Sequence, residues 1–174
     1  MLETTRLILR PAVLSDAQNL FHLNSDIEVI RYTGDHSFSG IIEAQELIRN
    51  QLIPQFSLYK MGRFMVFLKN GPFIGWCGLR YYPPKNEVDL GYRLMKKYWG
   101  RGFATEASKE ILRYGFGTLG LQKIIGKSMP ENLGSLKVLK KLGMSFKGYH
   151  RDPSDPMPFV VYDISQSEYK ICEE

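Results

Sequence analysis

The sequence has few cysteines and no long apolar segment. Cys77 and Cys172 are its only cysteines, and two residues so far apart along the chain cannot supply a disulfide framework or a zinc site. No apolar run approaches the roughly 18 residues needed to cross a bilayer, and the N-terminus lacks the basic and then apolar regions of a secretory signal. We therefore expect a soluble, cytoplasmic protein with no membrane partner.

Internal repeats, low-complexity segments and linkers rich in Gly, Ser and Pro are also missing. The chain has 174 residues, of which 44% are hydrophobic and 24% are charged, and this is the composition of a globular domain. We therefore treat residues 1–174 as a single domain.

The charge is moderately basic, with a net value of +5. A basic balance suits nucleic acid, an anionic surface or an anionic ligand such as a small polyphosphate. The sequence contains no helix-turn-helix pattern, no zinc spacing and no aromatic RNA-binding strand, so we expect no nucleic-acid partner. Its three histidines are not spaced like metal ligands, and we expect no metal.

Hydrophobic periodicity and turn signals predict a mixed α/β protein. Strands are expected over residues 5–10, 63–68, 72–82, 87–95, 122–128, 145–150 and 159–165, and helices over 15–24, 40–52, 103–116 and 132–142. Asn70-Gly71 is typical of a hairpin turn, and Pro54 is expected to end the second helix. The strand–helix–strand unit over residues 87–128 predicts a right-handed crossover with parallel flanking strands.

The most informative segment is LMKKYWGRGFATE, residues 94–106. A strand ends, Gly100 and Gly102 flank Arg101, and a helix begins at once. Glycines permit close approach of a ligand, and the first amides of a helix point outward with the positive end of the helix dipole behind them. This pattern favours a pyrophosphate site, although a tight turn whose glycines only satisfy local geometry would look the same. The Walker and Rossmann glycine patterns are absent.

Residues 99–104, WGRGFA, resemble the acyl-CoA signature R/Q-x-x-G-x-G/A of the GNAT superfamily of N-acetyltransferases. Trp99 replaces the usual Gln or Arg, as in the branch of ribosomal-protein N-terminal (Rim-type) acetyltransferases. The segments TTRLILRP, IGWCGLR, VDLGYRL and ENLGSLKVLKKLGM are similar to further elements of that branch, in the same order. The resemblance therefore covers nearly the whole chain.

The resemblance implies a twisted, mostly antiparallel sheet of about seven strands with about four helices on its faces. The fourth and fifth strands, here 87–95 and 122–128, would be parallel and splayed, with acetyl-CoA as cosubstrate in the opening. By residue-to-residue correspondence, the main chain of Leu94 and Met95 would hold the pantetheine arm, and Asn132 and Ser135 would contact it. The pyrophosphate would lie on the amides of Gly100, Arg101, Gly102, Phe103, Ala104 and Thr105.

The resemblance also implies direct transfer of an acetyl group to a primary amine, either a protein N-terminus or a small molecule. A base must then take a proton from the amine. Asp89 is the candidate, because this branch carries an acidic residue there, and Glu87 is the reserve because it shares a strand face with Asp89. Glu106 has a structural explanation, since acidic residues are favoured in the first turn of a helix.

Several alternatives stay open. Some family members carry a tyrosine acid where this sequence has Leu139, and Tyr92 or Tyr149 could replace it. An acetyl-cysteine intermediate on Cys77 is disfavoured, because a Cys within an apolar strand is usually inert. A catalytically silent CoA-binding module and a basic nucleic-acid-binding domain are the competing functions. The chain could be a monomer or a homodimer.

Overall fold

A computed structural model describes residues 1–152 and 155–169 of the chain. Its centre is one eight-stranded sheet with the order β1-β2-β3-β4-β5-β6-β8-β7. The strands are β1 (Leu2–Glu3), β2 (Leu7–Pro11), β3 (Arg63–Leu68), β4 (Phe73–Tyr82), β5 (Glu87–Leu94), β6 (Lys123–Ser128), β7 (Ser145–Asp152) and β8 (Asp155–Ser165). The α/β fold is confirmed. Periodicity did not reveal β1, because two residues are too few to show an alternating pattern.

The pairing of β5 with β6 differs from every other pairing in the sheet. It is parallel and contains a single residue pair, Asp89 with Ile125. The antiparallel ladder between β4 and β5, by contrast, runs from Gly75 opposite Leu94 to Tyr82 opposite Glu87. Long ladders therefore flank β5 and β6 on their outer sides, while β5 and β6 themselves meet at one residue pair. The splayed parallel pair is confirmed.

The helices are α1 (Ala17–Ser25), α2 (Ile27–Ile30), α3 (Ile41–Leu47), α4 (Ile53–Tyr59), α5 (Phe103–Arg113) and α6 (Leu133–Lys141). A π-helical turn, Ile48–Leu52, joins α3 directly to α4. The prediction that Pro54 ends the helix is wrong, because Pro54 lies in the first turn of α4, directly after the π turn, and the helix continues to Tyr59. A second π turn, Tyr114–Thr118, extends α5.

Hydrophobic residues cover both faces of the sheet. Because alternate residues of a strand point to opposite faces, Phe64 and Val66 join a core with Ile111 of α5. Met65, between them in β3, joins the opposite core with Leu20 of α1. In the described ranges 1–152 and 155–169, no helix has both the length and the apolar character needed to span a membrane.

The ends of α6 are fixed by its sequence. Asn132 is the N-cap, and its Oδ1 accepts a hydrogen bond of 3.0 Å from the Ser135 amide. Gly143 follows the last turn with a φ of 77°, and the amides of Gly143 and Met144 donate to the carbonyls of Lys140 and Leu139, which is the Schellman arrangement. These caps hold the first turn of α6 beside β5, where Tyr92 contacts Ser135.

Candidate active site

The segment before α5 forms a cradle of main-chain amides. Gly100 and Gly102 have φ values of 73° and 80°, which side chains with a Cβ rarely adopt. Gly102 is the N-cap of α5, and its carbonyl accepts the first bond of the helix from the Glu106 amide at 3.0 Å. The amides of residues 103–105 therefore precede the first intrahelical hydrogen bond. A Cβ on Gly100 would have nothing within 4 Å, so this side of the turn is open to a ligand.

Hydrogen bonds of Arg6 and Glu106 hold the cradle against the N-terminal segment of the chain. The Glu106 carboxylate accepts hydrogen bonds from the Thr4 hydroxyl and the Arg6 Nε, both at 2.6 Å. Arg6 also donates to the Arg101 carbonyl at 3.2 Å and stacks on Phe103, 4.3 Å from the ring centre. Burial would raise the pKa of Glu106, but these hydrogen bonds outweigh it and hold the pKa below its usual range. Glu106 is thus a structural residue, as the sequence suggested.

Trp99 links the cradle to the end of β5. Its indole Nε1 donates a hydrogen bond of 2.7 Å to the Leu94 carbonyl. The Met95 amide donates to Ile74 in β4 at 2.9 Å. Because hydrogen-bonded and non-bonded positions alternate in an antiparallel ladder, the main-chain groups of Leu94 and Tyr92 point away from β4, toward the junction with β6. Of the two predicted pantetheine contacts, Leu94 has its amide toward the opening while its carbonyl accepts from Trp99, and the Met95 amide is paired with Ile74.

The first turn of α6 faces this same opening. The Tyr92 hydroxyl donates to the Ser135 carbonyl at 3.1 Å and lies 2.9 Å from the Ser135 Oγ. Asn132 uses only its Oδ1 for capping, so its Nδ2 donors are separate from that role. Asn132 and Ser135, predicted from the sequence, are therefore brought together with Tyr92 on the wall of one cavity.

Asp89 lies at the point where β5 and β6 pair, opposite Ile125 in β6 and Arg80 in β4. It lines a cavity of about 560 Å³, and its Oδ1 is buried with no hydrogen-bond partner among the described residues. Burial raises the pKa of Asp89 from 3.8 to about 6, although the nearby cations Arg63 and Lys127 oppose the rise. A carboxylate with such a pKa beside a cavity is typical of a general base.

The other sequence candidates are less well placed. Glu87 forms an ion pair of 3.2 Å with Lys127, which occupies its carboxylate. Tyr149 is 74% exposed on β7. Cys77 is fully buried, and burial raises the pKa of its thiol to about 12, which disfavours the thiolate that a nucleophile requires. Cys172 lies outside the described residues.

Sequence reasoning missed the cationic residues of the cavity, Arg63, Arg80 and Arg93. Trp76 lies between two of them, with the guanidinium of Arg63 at 3.9 Å and that of Arg93 at 5.4 Å from its ring. The alternating pattern of each strand was visible in the sequence, but the register between strands was not. No group of three His, Cys, Asp or Glu side chains in the described part of the chain could hold a metal ion.

Comparisons with known proteins identify the family of the chain. Residues 6–145 match the model of the acetyltransferase (GNAT) domain family. A Bacillus licheniformis protein named uncharacterized N-acetyltransferase p20 is 37% identical over 154 residues, which cover 87% of this chain and 85% of that protein.

Two solved structures show the same fold. A GNAT-family acetyltransferase from Bacillus anthracis superposes with a TM-score of 0.82 at 24% identity, covering 95% of this chain and 98% of that one. A spermidine N-acetyltransferase from Vibrio cholerae, solved with CoA and spermine, superposes with a TM-score of 0.79 at 20% identity and the same coverage. The family model and the 37% identical relative show that the chain belongs to the GNAT acetyltransferase family and is an acetyl-CoA-dependent acyltransferase.

Proposed function

We propose that this chain transfers the acetyl group of acetyl-CoA directly to a primary amine, with Asp89 as the general base. The observation that carries the proposal is the buried and unpartnered Oδ1 of Asp89 at the junction of β5 and β6. A buried carboxylate oxygen without a hydrogen-bond partner is costly, so a fold that keeps one beside a cavity favours a catalytic role over a structural one. This also favours an enzyme over a catalytically silent CoA-binding module.

The main-chain amides of residues 100–105 fit a pyrophosphate. Positive φ values at Gly100 and Gly102 expose the amides of the turn, and the N-terminus of α5 adds the positive end of its dipole. Arg101 is exposed beside them and supplies charge. Phe103, Ala104 and Thr105 contribute through their amides, since each precedes the first intrahelical bond.

The opening between β5 and β6 fits an extended arm. The main-chain groups of Tyr92 and the amide of Leu94, which point away from β4, would pair with the amide groups of pantetheine as an added strand does. The Leu94 carbonyl already accepts from Trp99. The amide of Met95, the other predicted contact, donates to Ile74, so its pairing with the arm stays a prediction. The Nδ2 of Asn132 and the hydroxyl of Ser135 lie on the opposite wall and supply further polar contacts.

Proton transfer follows from the environment of Asp89. With a pKa of about 6, Asp89 is ionised at pH 7 yet basic enough to accept a proton from the bound amine, directly or through water. The neutral amine then attacks the thioester carbonyl that acetyl-CoA supplies. A β5 amide facing the opening would stabilise the developing oxyanion. We assign no general acid, because the Tyr92 hydroxyl donates to Ser135 and a thiolate is a tolerable leaving group.

The acceptor is a protein N-terminus or a small amine. The WGRGFA segment resembles the Rim-type branch, which supports a protein N-terminus as acceptor, whereas a spermidine N-acetyltransferase of the same fold, solved with CoA and spermine, supports a small polyamine. The side chains that line the cavity, rather than the fold, must decide between these two classes of acceptor.

The test is release of free thiol from acetyl-CoA in the presence of a panel of amines. Asp89→Asn should lower kcat by at least 100-fold while the Kd for acetyl-CoA, from calorimetry, changes less than twofold. Glu87→Gln tests the reserve base, and Glu46→Gln, an exposed carboxylate outside the cavity, is the matched control. Absence of any affinity for acetyl-CoA would refute the proposal.

A further inference from the structure

The cavity beside Asp89 is lined by cationic side chains from four adjacent strands. Arg63 comes from β3, Arg80 from β4, Arg93 from β5 and Lys127 from β6. The register explains the grouping of the arginines. Arg63 lies opposite Gly78, and Arg80, two residues further along β4, lies opposite Asp89. Residues two apart on a strand share a face, so Arg63, Arg80 and Asp89 project to the same side of the sheet.

Two of these cations are neutralised by carboxylates of the protein. Arg93 bonds to the side chains of Asp35 and Asn24, and its own side chain is only 10% exposed. Lys127 pairs with Glu87 at 3.2 Å. The positive charges of Arg93 and Lys127 are therefore balanced by the protein's own carboxylates before any ligand binds.

Arg63 and Arg80 are different. Arg63 stacks on Trp76 at 3.9 Å and Arg80 lies 6.0 Å from the ring of Tyr82, and neither forms an ion pair with a carboxylate side chain in residues 1–150 or 158–169. Asp89 is close enough to attract Arg63 electrostatically, but burial still lowers the pKa of Arg63 to about 10. Two guanidinium groups thus face the cavity with most of their donor capacity unused.

Guanidinium groups in a partly dehydrated cavity bind carboxylates and phosphates through paired, charge-assisted hydrogen bonds. The same groups repel a polyamine, whose several ammonium charges would enter a region that already carries an excess of positive charge. They also lower the pKa of an amine bound near Asp89, which increases the share of the neutral, nucleophilic form. Both effects select for an acceptor that brings its own negative charge.

We propose that the acceptor is a small amine that carries an anionic group, a carboxylate or a phosphate, which Arg63 and Arg80 bind while the amine lies at Asp89. This proposal rests on the proposed function and names the substrate class of the same site. The cavity, at about 560 Å³, is within the usual range for small-molecule sites. The proposal separates this chain from polyamine acetyltransferases, despite the shared fold.

The test compares amines that differ only in the anionic group. Methionine against methioninamide isolates a carboxylate, glucosamine 6-phosphate against glucosamine isolates a phosphate, and spermidine represents polycations. Binding is measured by calorimetry on the CoA-saturated protein, and kcat/KM by thiol release. In at least one pair the anionic member should bind and react about tenfold or more better than its partner, and spermidine should be the weakest ligand.

Variants then assign the effect to the two arginines. Arg63→Gln and Arg80→Gln should each remove most of the preference for the anionic member, whereas Arg49→Gln, an exposed arginine outside the cavity, should keep it. Arg80 is exposed, so its variant should fold even if loss of the Arg63–Trp76 stack weakens the other.

The outcomes separate the two proposals. If acetyl-CoA binds and amines react, but spermidine or the uncharged partners match the anionic amines, the inference about the acceptor is wrong and the proposed function stands. Equal calorimetric affinity for both members of every pair is equally decisive against it, even when no probe reacts. Failure to bind acetyl-CoA at all counts against the proposed function itself.

Discussion

The indole Nε1 of Trp99 donates a hydrogen bond of 2.7 Å to the carbonyl oxygen of Leu94. This bond joins Trp99, the first residue of the glycine turn (residues 99–102), to Leu94, the last residue of β5. The proposed pantetheine arm would pass this bend. A tryptophan at this position therefore fixes the distance between the proposed pyrophosphate and arm sites. Gln and Arg, which other family members carry there, also have long side chains that end in N–H donors.

Trp99→Phe keeps an aromatic ring but removes the donor. We expect the KM for acetyl-CoA to rise about three- to tenfold, the equivalent of one hydrogen bond, with kcat nearly unchanged. Steady-state kinetics at saturating acceptor measure this split. Tyr149→Phe, which removes an exposed hydroxyl on β7, is the control, and an unchanged KM in Trp99→Phe would show that the bond does not position the cosubstrate.

Asp89→Asn should make the protein less active and more stable. The pKa of Asp89 is about 6 in the folded protein and 3.8 when unperturbed, so between these values the folded state binds more protons than the unfolded state. The free energy of unfolding therefore falls as pH rises from about 4 to 6. At pH 8 the neutral Asn should raise that free energy by about 1–3 kcal/mol, as measured by urea unfolding.

The same comparison at pH 4 is the internal control, since Asp89 is then mostly protonated in the folded state and the advantage of the Asn variant should largely vanish. An equal gain in stability at both pH values would mean that the stabilisation has another origin than the buried charge.

The pH dependence of turnover should follow the same ionisation. At a fixed concentration of neutral amine, kcat/KM should fall about tenfold per pH unit below about pH 6, because protonated Asp89 cannot accept a proton. Asp89→Asn should retain only a low, nearly flat rate in that range. A wild-type profile that stays level down to pH 4.5 would remove Asp89 from the role of base.

The amide cradle should tolerate no side chain that carries negative charge. Gly102→Glu adds a carboxylate at a residue with a φ of 80°, at the N-cap that faces the proposed pyrophosphate. We expect loss of measurable affinity for acetyl-CoA by calorimetry, through charge repulsion and backbone strain of about 1 kcal/mol. Gly117→Ala is the control, because a Cβ there meets nothing within 4 Å, and it should bind acetyl-CoA normally.

Cys77 should take no part in the reaction. Its buried thiol, with a pKa of about 12, lies 3.5 Å from Ser108 in the core. Cys77→Ala should lower the free energy of unfolding by about 1–2 kcal/mol, because it leaves a small cavity, while kcat is unchanged. Mass spectrometry of the wild type incubated with acetyl-CoA alone should show no acetylated form; a stoichiometric acetyl-cysteine would contradict direct transfer.

Local signals predicted much of the fold. Asn70-Gly71 did mark the turn between β3 and β4, with Asn70 at a φ of 55°, and Asn132 and Gly143 marked both ends of α6. Each of these depends on a few neighbouring residues. The end of the second helix could not be predicted in the same way. The π turn at Ile48–Leu52 changes the helical register just before Pro54, so a residue that usually ends a helix begins the next one.

The residues of the candidate site also differ in whether local sequence could predict them. Gly100, Gly102 and Asn132 belong to short motifs, and Asp89 was found by its place in VDLGY. Arg63 and Arg80 belong to no motif. They meet Asp89 only through the pairing of β3 with β4 and of β4 with β5, and pairing register depends on contacts between distant segments.

The chain contains two tryptophans, and the fold assigns one to each half of the proposed site. Trp99 is 45% exposed on the glycine turn, whereas Trp76 is 5% exposed beneath the acceptor cavity. Their fluorescence should therefore differ, with a red-shifted component from the first and a blue-shifted component from the second. In Trp99→Phe the remaining emission comes from Trp76 alone, so comparison with the wild type separates the response of the cavity from that of Trp99 without any added label.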